Sequence, residues 1–253
     1  MLIVADNLNV VNPRVAEALQ AFDPEPLQEL ARRCREAGAD FLDLNPGYLS
    51  PRQEDRLVFM IESIQEAVDL PLVLDNPEAR VLARGLKACR EKPILNALTL
   101  EDTKLKEILP LAVEHQTDLV LLLLDRHSFS PPSLEEKIAL ALELRDRALA
   151  GGLREEQLIF DPVIPNLRWP DAWPRLAESI KTVRYLAGGA VLPQPARTMA
   201  GLSNLRSGLR PLYPRQLEEI AWSMLAGAGL TFALADVQQP EFTETAQLIR
   251  RMS

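Results

Sequence analysis

Seven apolar runs in this chain come to rest on an acid or an amide. They are Asn45 after FLDL, Asp75 after PLVL, Asn96 after PIL, Asp125 after DLVLLLL, Asp161 after LIF, Asn204 after TMAGLS and Asp236 after TFALA. A carboxylate accepts two parallel N–H bonds from an amidine-like edge, and a carboxamide donates and accepts at once. A mixture of the two suits recognition of a polar, nitrogen-rich ring such as an amino-pyrimidinone. Without a ligand the same groups form an unfavourable cluster of like charge. Divalent metal is the competing use of several carboxylates, but amides are interleaved and neither histidine is well placed for it. His115 ends a helical pattern and reads as a surface residue. His127, in DRHSF, reads as a loop hydrogen-bonder at the same end as the polar groups, with proton transfer as the alternative. Helix caps and turns are the plain explanation for any single Asp or Asn; they explain all seven together much less well.

The order of elements shows how such scattered groups can meet. Short β-rich runs alternate with stretches of helical period. The first run is LIVA at 2–5, and the other seven are those that end on the polar residues. Helical patterns lie at 26–39, where Leu27, Leu30, Ala31 and Cys34 share a face and Gly38 stops it, and at 53–68. They continue at 78–89, with Pro77 in the first turn, and at 99–115, with Glu101 and Asp102 at the dipole-favoured start. Ser133 caps a helix to about 150, and further patterns lie at 172–186, from Pro214 to Gly227 or Gly229, and at 242–251. Eight strand–helix units with near-continuous apolar strands predict a parallel sheet covered on both faces, and at this length a single (β/α)8 barrel over residues 1–253. In such a barrel all strand C-termini lie on one face, so the polar groups are expected at one mouth, where barrel enzymes keep their chemistry. Trp169 and Trp173, in a proline-broken loop, either stack on a flat ligand or cover the rim; the rim is the favoured reading.

Composition excludes several classes. The chain has 253 residues, 47% of them hydrophobic, and a net charge of −8 that argues against nucleic acid as a partner. Cys34 and Cys89 form no CxxC and read as buried, reduced thiols of a cytoplasmic chain. No apolar run reaches membrane-spanning length, and MLIVADNLN lacks the features of a signal peptide. No P-loop or GxGxxG occurs, and GLSNL around Ser203 lacks the closing glycine of a nucleophile elbow.

Taken together, LDLNPG at 42–47, PLVLD at 71–75, PILNA at 93–97, LPLAVEH at 109–115, FDPVIP at 160–165 and AGLSN at 200–204 resemble a known family. It is that of the pterin-binding methyltransferases serving corrinoid proteins, typified by methyltetrahydrofolate:corrinoid/iron–sulfur protein methyltransferase. The resemblance covers nearly the whole chain, and GLSN with the strand-6 Asp-Pro is its most specific part. It implies that Asp75, Asn96 and Asp161 hold the pterin ring, with Asn45, Asn9 and Asp43 completing the pocket. Asn204 would be the catalytic group, beside the N5 atom that carries the methyl. The methyl donor would be methyltetrahydrofolate or a related pterin, and the acceptor the cobalt of a cobalamin-type corrinoid on a separate protein. A cytoplasmic homodimer is the usual form.

The chain departs from the family pattern at Asp6-Asn7-Leu8-Asn9, where a Glu-Arg pair before Ile-Asn is usual, and at Asn76-Pro77, Ala97, Asp125-Arg126-His127 and Arg206. A subunit that binds a pterin or a corrinoid protein without transferring methyl is therefore a second reading. Dihydropteroate synthase is a third; it normally carries Ser-Arg-Lys where this chain has Ser203-Asn204-Leu205, and Arg-x-His where it has Leu234-Ala235-Asp236.

Overall fold

Alternate side chains of each strand enter two different apolar environments, and that alternation wraps the sheet into a closed barrel. The computed structural model describes residues 1–50, 52–209, 212–239 and 242–252. In chain order the elements are β1 (Leu2–Asn9), α1 (Pro13–Ala21), α2 (Glu25–Glu36), β2 (Phe41–Asn45), α3 (Asp55–Ala67), β3 (Leu72–Asp75), α4 (Ala79–Ala88), β4 (Ile94–Leu98) and α5 (Asp102–His115). They continue with β5 (Asp118–Leu122), α6 (Leu134–Gly151), β6 (Leu158–Asp161), α7 (Ala172–Ala187), β7 (Arg197–Gly201), α8 (Gln216–Gly227), β8 (Phe232–Ala235) and α9 (Phe242–Met252). Every strand pairs in parallel with the next, and β8 closes on β1. This is the expected (β/α)8 barrel.

One set of strand residues points inward. Val4, Val73, Ile94, Val120, Ile159, Met199 and Phe232 form an apolar plug, with Phe41 edge-on to Phe232 at 5.6 Å between ring centroids. Their neighbours, such as Ile3, Leu42, Leu74, Leu121 and Phe160, point outward into the larger core under the helices. The plug is the floor of the mouth.

Local sequence explains the helix boundaries. Ser133 and Glu136 form a reciprocal capping box at the start of α6. Ala37 ends α2 and Gly38 follows at φ +92°, the conformation glycine adopts without strain. Several expectations need correction. An additional helix, α1, lies between β1 and α2; its signal is Asn12, which caps it by accepting from Arg14 N at 3.1 Å, followed by Pro13 at the first helical position. Pro77 precedes α4 rather than opening it, because Asn76 Oδ1 accepts from Glu78 N at 3.0 Å and sets the turn. Cys34 is buried, but Cys89 is only half-buried, at the end of α4; both are free thiols.

Candidate functional site

Two residues on from each member of the plug is the next inward-facing position. From Val4, Phe41, Val73, Ile94 and Ile159 that position holds Asp6, Asp43, Asp75, Asn96 and Asp161. From Val120, Met199 and Phe232 it holds Leu122, Gly201 and Leu234. A layer about 7 Å further along the strands is therefore polar on the β1–β4 and β6 side and apolar or bare on the rest. The sequence alternation alone dictates this asymmetry.

The polar groups hold one another. Asp75 stands opposite Asn96 in the β3–β4 register. Asn45 Nδ2 donates to Asp75 Oδ2 at 2.7 Å, while Asn45 Oδ1 accepts from Gly47 N at 3.0 Å. Buried Asn76 donates to the Gly47 carbonyl at 2.9 Å and ties the loops after β2 and β3 together. Ser203 Oγ donates to Asp6. Asp43 is 1% exposed, and its Oδ1 has no hydrogen-bond partner among the described residues. An orphaned buried oxygen is unfavourable unless a ligand group meets it.

Burial and crowding set the charge state. Burial pushes the Asp75 carboxyl up to about 6, against the Asn45 hydrogen bond and the Lys104 charge. Burial likewise pushes Asp161 up to about 6, against the Val163 N–H and the Lys137 charge. Asp43 rises well above the ordinary carboxylate range, through burial first and then through the charges of Asp75 and Asp6, with Asn96 opposing. A proton is thus retained in this cluster near neutral pH.

Asn204 lies beyond the end of β7, in the short 3-10 turn Leu202–Arg206, and is exposed. Its amide folds back over Gly201: a Cβ at position 201 would lie 2.9 Å from Asn204 Nδ2. Asn166 Nδ2 holds the turn by donating to the Asn204 and Ser207 carbonyls at 2.9 and 3.0 Å. Arg206, buried beneath, donates to the Tyr213 carbonyl at 2.9 Å and to Glu218 Oε2 at 3.1 Å.

The expected convergence of seven strand ends is therefore narrower. Asp125 lies past the end of β5 and accepts from His127 N at 2.8 Å and Phe129 N at 3.0 Å within its own loop. With exposed Arg126 and His127 it lines a surface hollow of about 340 Å³ against α6. Asp236 accepts from Asn7 Nδ2 at 2.5 Å and from Gln238 N at 3.2 Å, as a turn-former. Asn9 ends β1 beside Asn45 in register, and its Oδ1 accepts from Val11 N at 3.0 Å. Trp169 is 40% exposed with the Arg175 guanidinium 5.6 Å from its ring, and Trp173 is on α7.

A sequence profile described as pterin binding enzyme matches residues 6–233, which include every group of the polar layer. The chain belongs to the pterin binding enzyme family. A methylcorrinoid:tetrahydrofolate methyltransferase of Eubacterium limosum is 27% identical over 169 residues, 66% of this chain and 62% of that one. Methionine synthase of Mycobacterium leprae is 23% identical over 241 residues, 92% of this chain but 20% of that protein. The chain thus spans less than two thirds of either relative. Among solved structures, Yersinia pestis dihydropteroate synthase with a pterine-sulfa conjugate superposes with a TM-score of 0.71 at 19% identity, over 99% of this chain and 93% of that one. Xanthomonas albilineans dihydropteroate synthase in complex with 7,8-dihydropteroate gives 0.71 at 18%, over 99% and 92%. At such identity the likeness speaks for the barrel alone.

In this pterin binding enzyme the sequence reading passed over Lys137 and named Asp6 and Ser203 without giving them a place in the site. Lys137 had a visible signal, as a lone cation on the apolar stripe of α6 with Leu140, Ala141, Leu144 and Ala148. Ser203 and Asp6 lie 197 positions apart, and no local pattern announces their pairing. Among the described residues no three His, Cys, Asp or Glu side chains group as metal ligands, and no helix is long and apolar enough to cross a membrane.

Proposed function

We propose that this chain moves a methyl group between N5 of a tetrahydrofolate-type pterin and the cobalt of a corrinoid held by a separate protein. The observation that carries the reading is the inward layer of Asp75, Asn96 and Asp161, with the Asn204 amide lying over Gly201 at its open side. The family membership and the methylcorrinoid:tetrahydrofolate methyltransferase relative support it.

The carboxylates of Asp75 and Asp161 accept N–H bonds from the amino-pyrimidinone edge, and Asn96 both donates and accepts. The orphaned Asp43 oxygen offers a further acceptor. In the transfer toward cobalt, the N5–CH3 bond breaks and N5 keeps its electron pair. An amine leaves poorly unless that pair gains a proton or a hydrogen bond, and a donor that strengthens as the bond breaks lowers the barrier. Asn204 is that donor. Asn204 is exposed, so the proton itself comes from water at the open side. The corrinoid contributes the nucleophilic cobalt(I), whose electron pair forms the new bond to carbon. The reverse transfer uses the same groups, and the name of the Eubacterium limosum relative runs in that direction.

The test is methyl transfer from methyltetrahydrofolate to reduced cobalamin, free or on a corrinoid protein, followed by the cobalamin spectrum. Methylcobalamin formation that depends on the chain is expected. Pterin binding without transfer in either direction would favour a binding subunit, and pteroate formation from a pterin pyrophosphate and p-aminobenzoate would favour a synthase.

A further inference from the structure

α6 carries a cation on its buried face. Lys137 is 1% exposed, in line with Leu140, Ala141, Leu144 and Ala148. Taking an ammonium out of water is unfavourable by several kcal/mol, on the order of a whole side chain's packing gain, so its place calls for a compensating role. Its Nζ donates to the Pro162 carbonyl at 2.6 Å and to Ser130 Oγ at 2.8 Å. Pro162 directly follows Asp161, and the next residue, Val163, has φ +64°, which a β-branched side chain rarely adopts. Val163 N donates to Asp161 Oδ1 at 2.8 Å, and the Val163 carbonyl accepts from buried Ser179 Oγ on α7 at 2.9 Å. The strained turn is therefore gripped by Lys137 on one side and Ser179 on the other, and it holds the Asp161 carboxyl through the Val163 N–H.

We infer that Lys137 is a positioning residue for pterin recognition: its buried ammonium fixes the Asp161–Val163 turn and keeps the Asp161 carboxyl ionised to accept ring N–H bonds. The inference rests on the pterin-pocket reading above. Around Lys137 stand Asp161 from β6 and Arg175 and Glu178 from α7; facing Asp161 are the Val163 N–H and Lys137. Burial pushes Asp161 up to about 6 and Lys137 down to about 8, so the two are oppositely charged between those values.

Tetrahydrofolate binding to the full chain, titrated from acid to alkaline pH, tests this with Lys137→Met, Lys137→Gln and Lys137→Arg. Wild-type affinity is expected to peak between the two titrations. Lys137→Met and Lys137→Gln should weaken binding at neutral pH about tenfold and move the acid limb up by roughly one pH unit. Lys137→Arg should keep the acid limb and lose the alkaline one, because guanidinium does not titrate there. Loss of the ammonium strands the buried Pro162 carbonyl and should lower the melting temperature of the Met and Gln variants, so the shifted pH profile and its rescue by Lys137→Arg are what separate this role from packing; if Lys137→Met fails to fold, the Gln–Arg pair decides. Unchanged affinity and pH profile in the Gln variant, or an Arg variant as impaired as Gln, overturns the inference alone. A wild-type chain that does not bind tetrahydrofolate overturns the pocket reading and this inference together.

Discussion

Asn204 and Gly201 act as one unit. The amide rests where a side chain on residue 201 would otherwise be, with 2.9 Å between its Nδ2 and the position a Cβ would take. Gly201→Ala should therefore displace the Asn204 amide and slow methyl transfer while leaving the ring-reading groups in place. Asn204→Ala should go further and lower kcat by about 10²-fold, the usual scale for one transition-state donor, with pterin affinity nearly unchanged. Single-turnover transfer rates set beside equilibrium binding check both. Equal losses in rate and affinity would reduce Asn204 to a binding group. Residue types alone did not separate site from scaffold here. Asp75, Asn96 and Asp161 stand two positions beyond a plug residue and so face the interior. Asp125 follows Val120 by five and falls in a loop, where its carboxylate closes a turn. Strand parity alone does not make this separation, because Asn204 also follows its plug residue, Met199, by five.

At the scale of elements, the 3-10 turn bearing Asn204 is held by a buried ion pair to α8. Arg206 is 4% exposed, its Nε is 3.0 Å from Glu218 Oε1, and its Nη2 donates to Oε2. Removing one partner strands the other, which typically costs about 3–5 kcal/mol. Arg206→Ala should reduce stability by about that amount in urea unfolding and also slow transfer through Asn204; a loss below about 1 kcal/mol would place the anchor elsewhere. Most elements were legible in the sequence because strand and helix periods differ, as in PLVLD against the amphipathic run that follows it. Two features were not. α1 hides behind a nine-residue pattern that begins at a proline, and β1 reads only to Ala5 because the polar DNLN has the pattern of a loop, whereas the strand continues to Asn9 and pairs with β2 across a register shift. The grip on the β6 turn was illegible for another reason. It depends on a backbone conformation at Val163 that no side-chain pattern encodes.

For the whole molecule, the mouth is a liability that function keeps. In the folded chain Asp75 and Asp161 retain their protons up to about 6, whereas unfolded aspartate releases its proton near about 4. The folded state therefore binds more protons between those values, and its stability falls as pH rises through that window. The double substitution Asp75→Asn with Asp161→Asn should melt above wild type at pH near 7 and converge on it near about 4, while losing pterin binding. Thermal melts across that range check it; a gap that does not depend on pH would mean the carboxyls are ionised throughout. The measurement closest to the central claim is a crystal structure with methyltetrahydrofolate bound. The amino-pyrimidinone edge is predicted within about 3 Å of the Asp75, Asn96 and Asp161 side chains, with N5 beside Asn204. A ring seated elsewhere on the chain, or seated in the mouth with those side chains unused, would contradict the account.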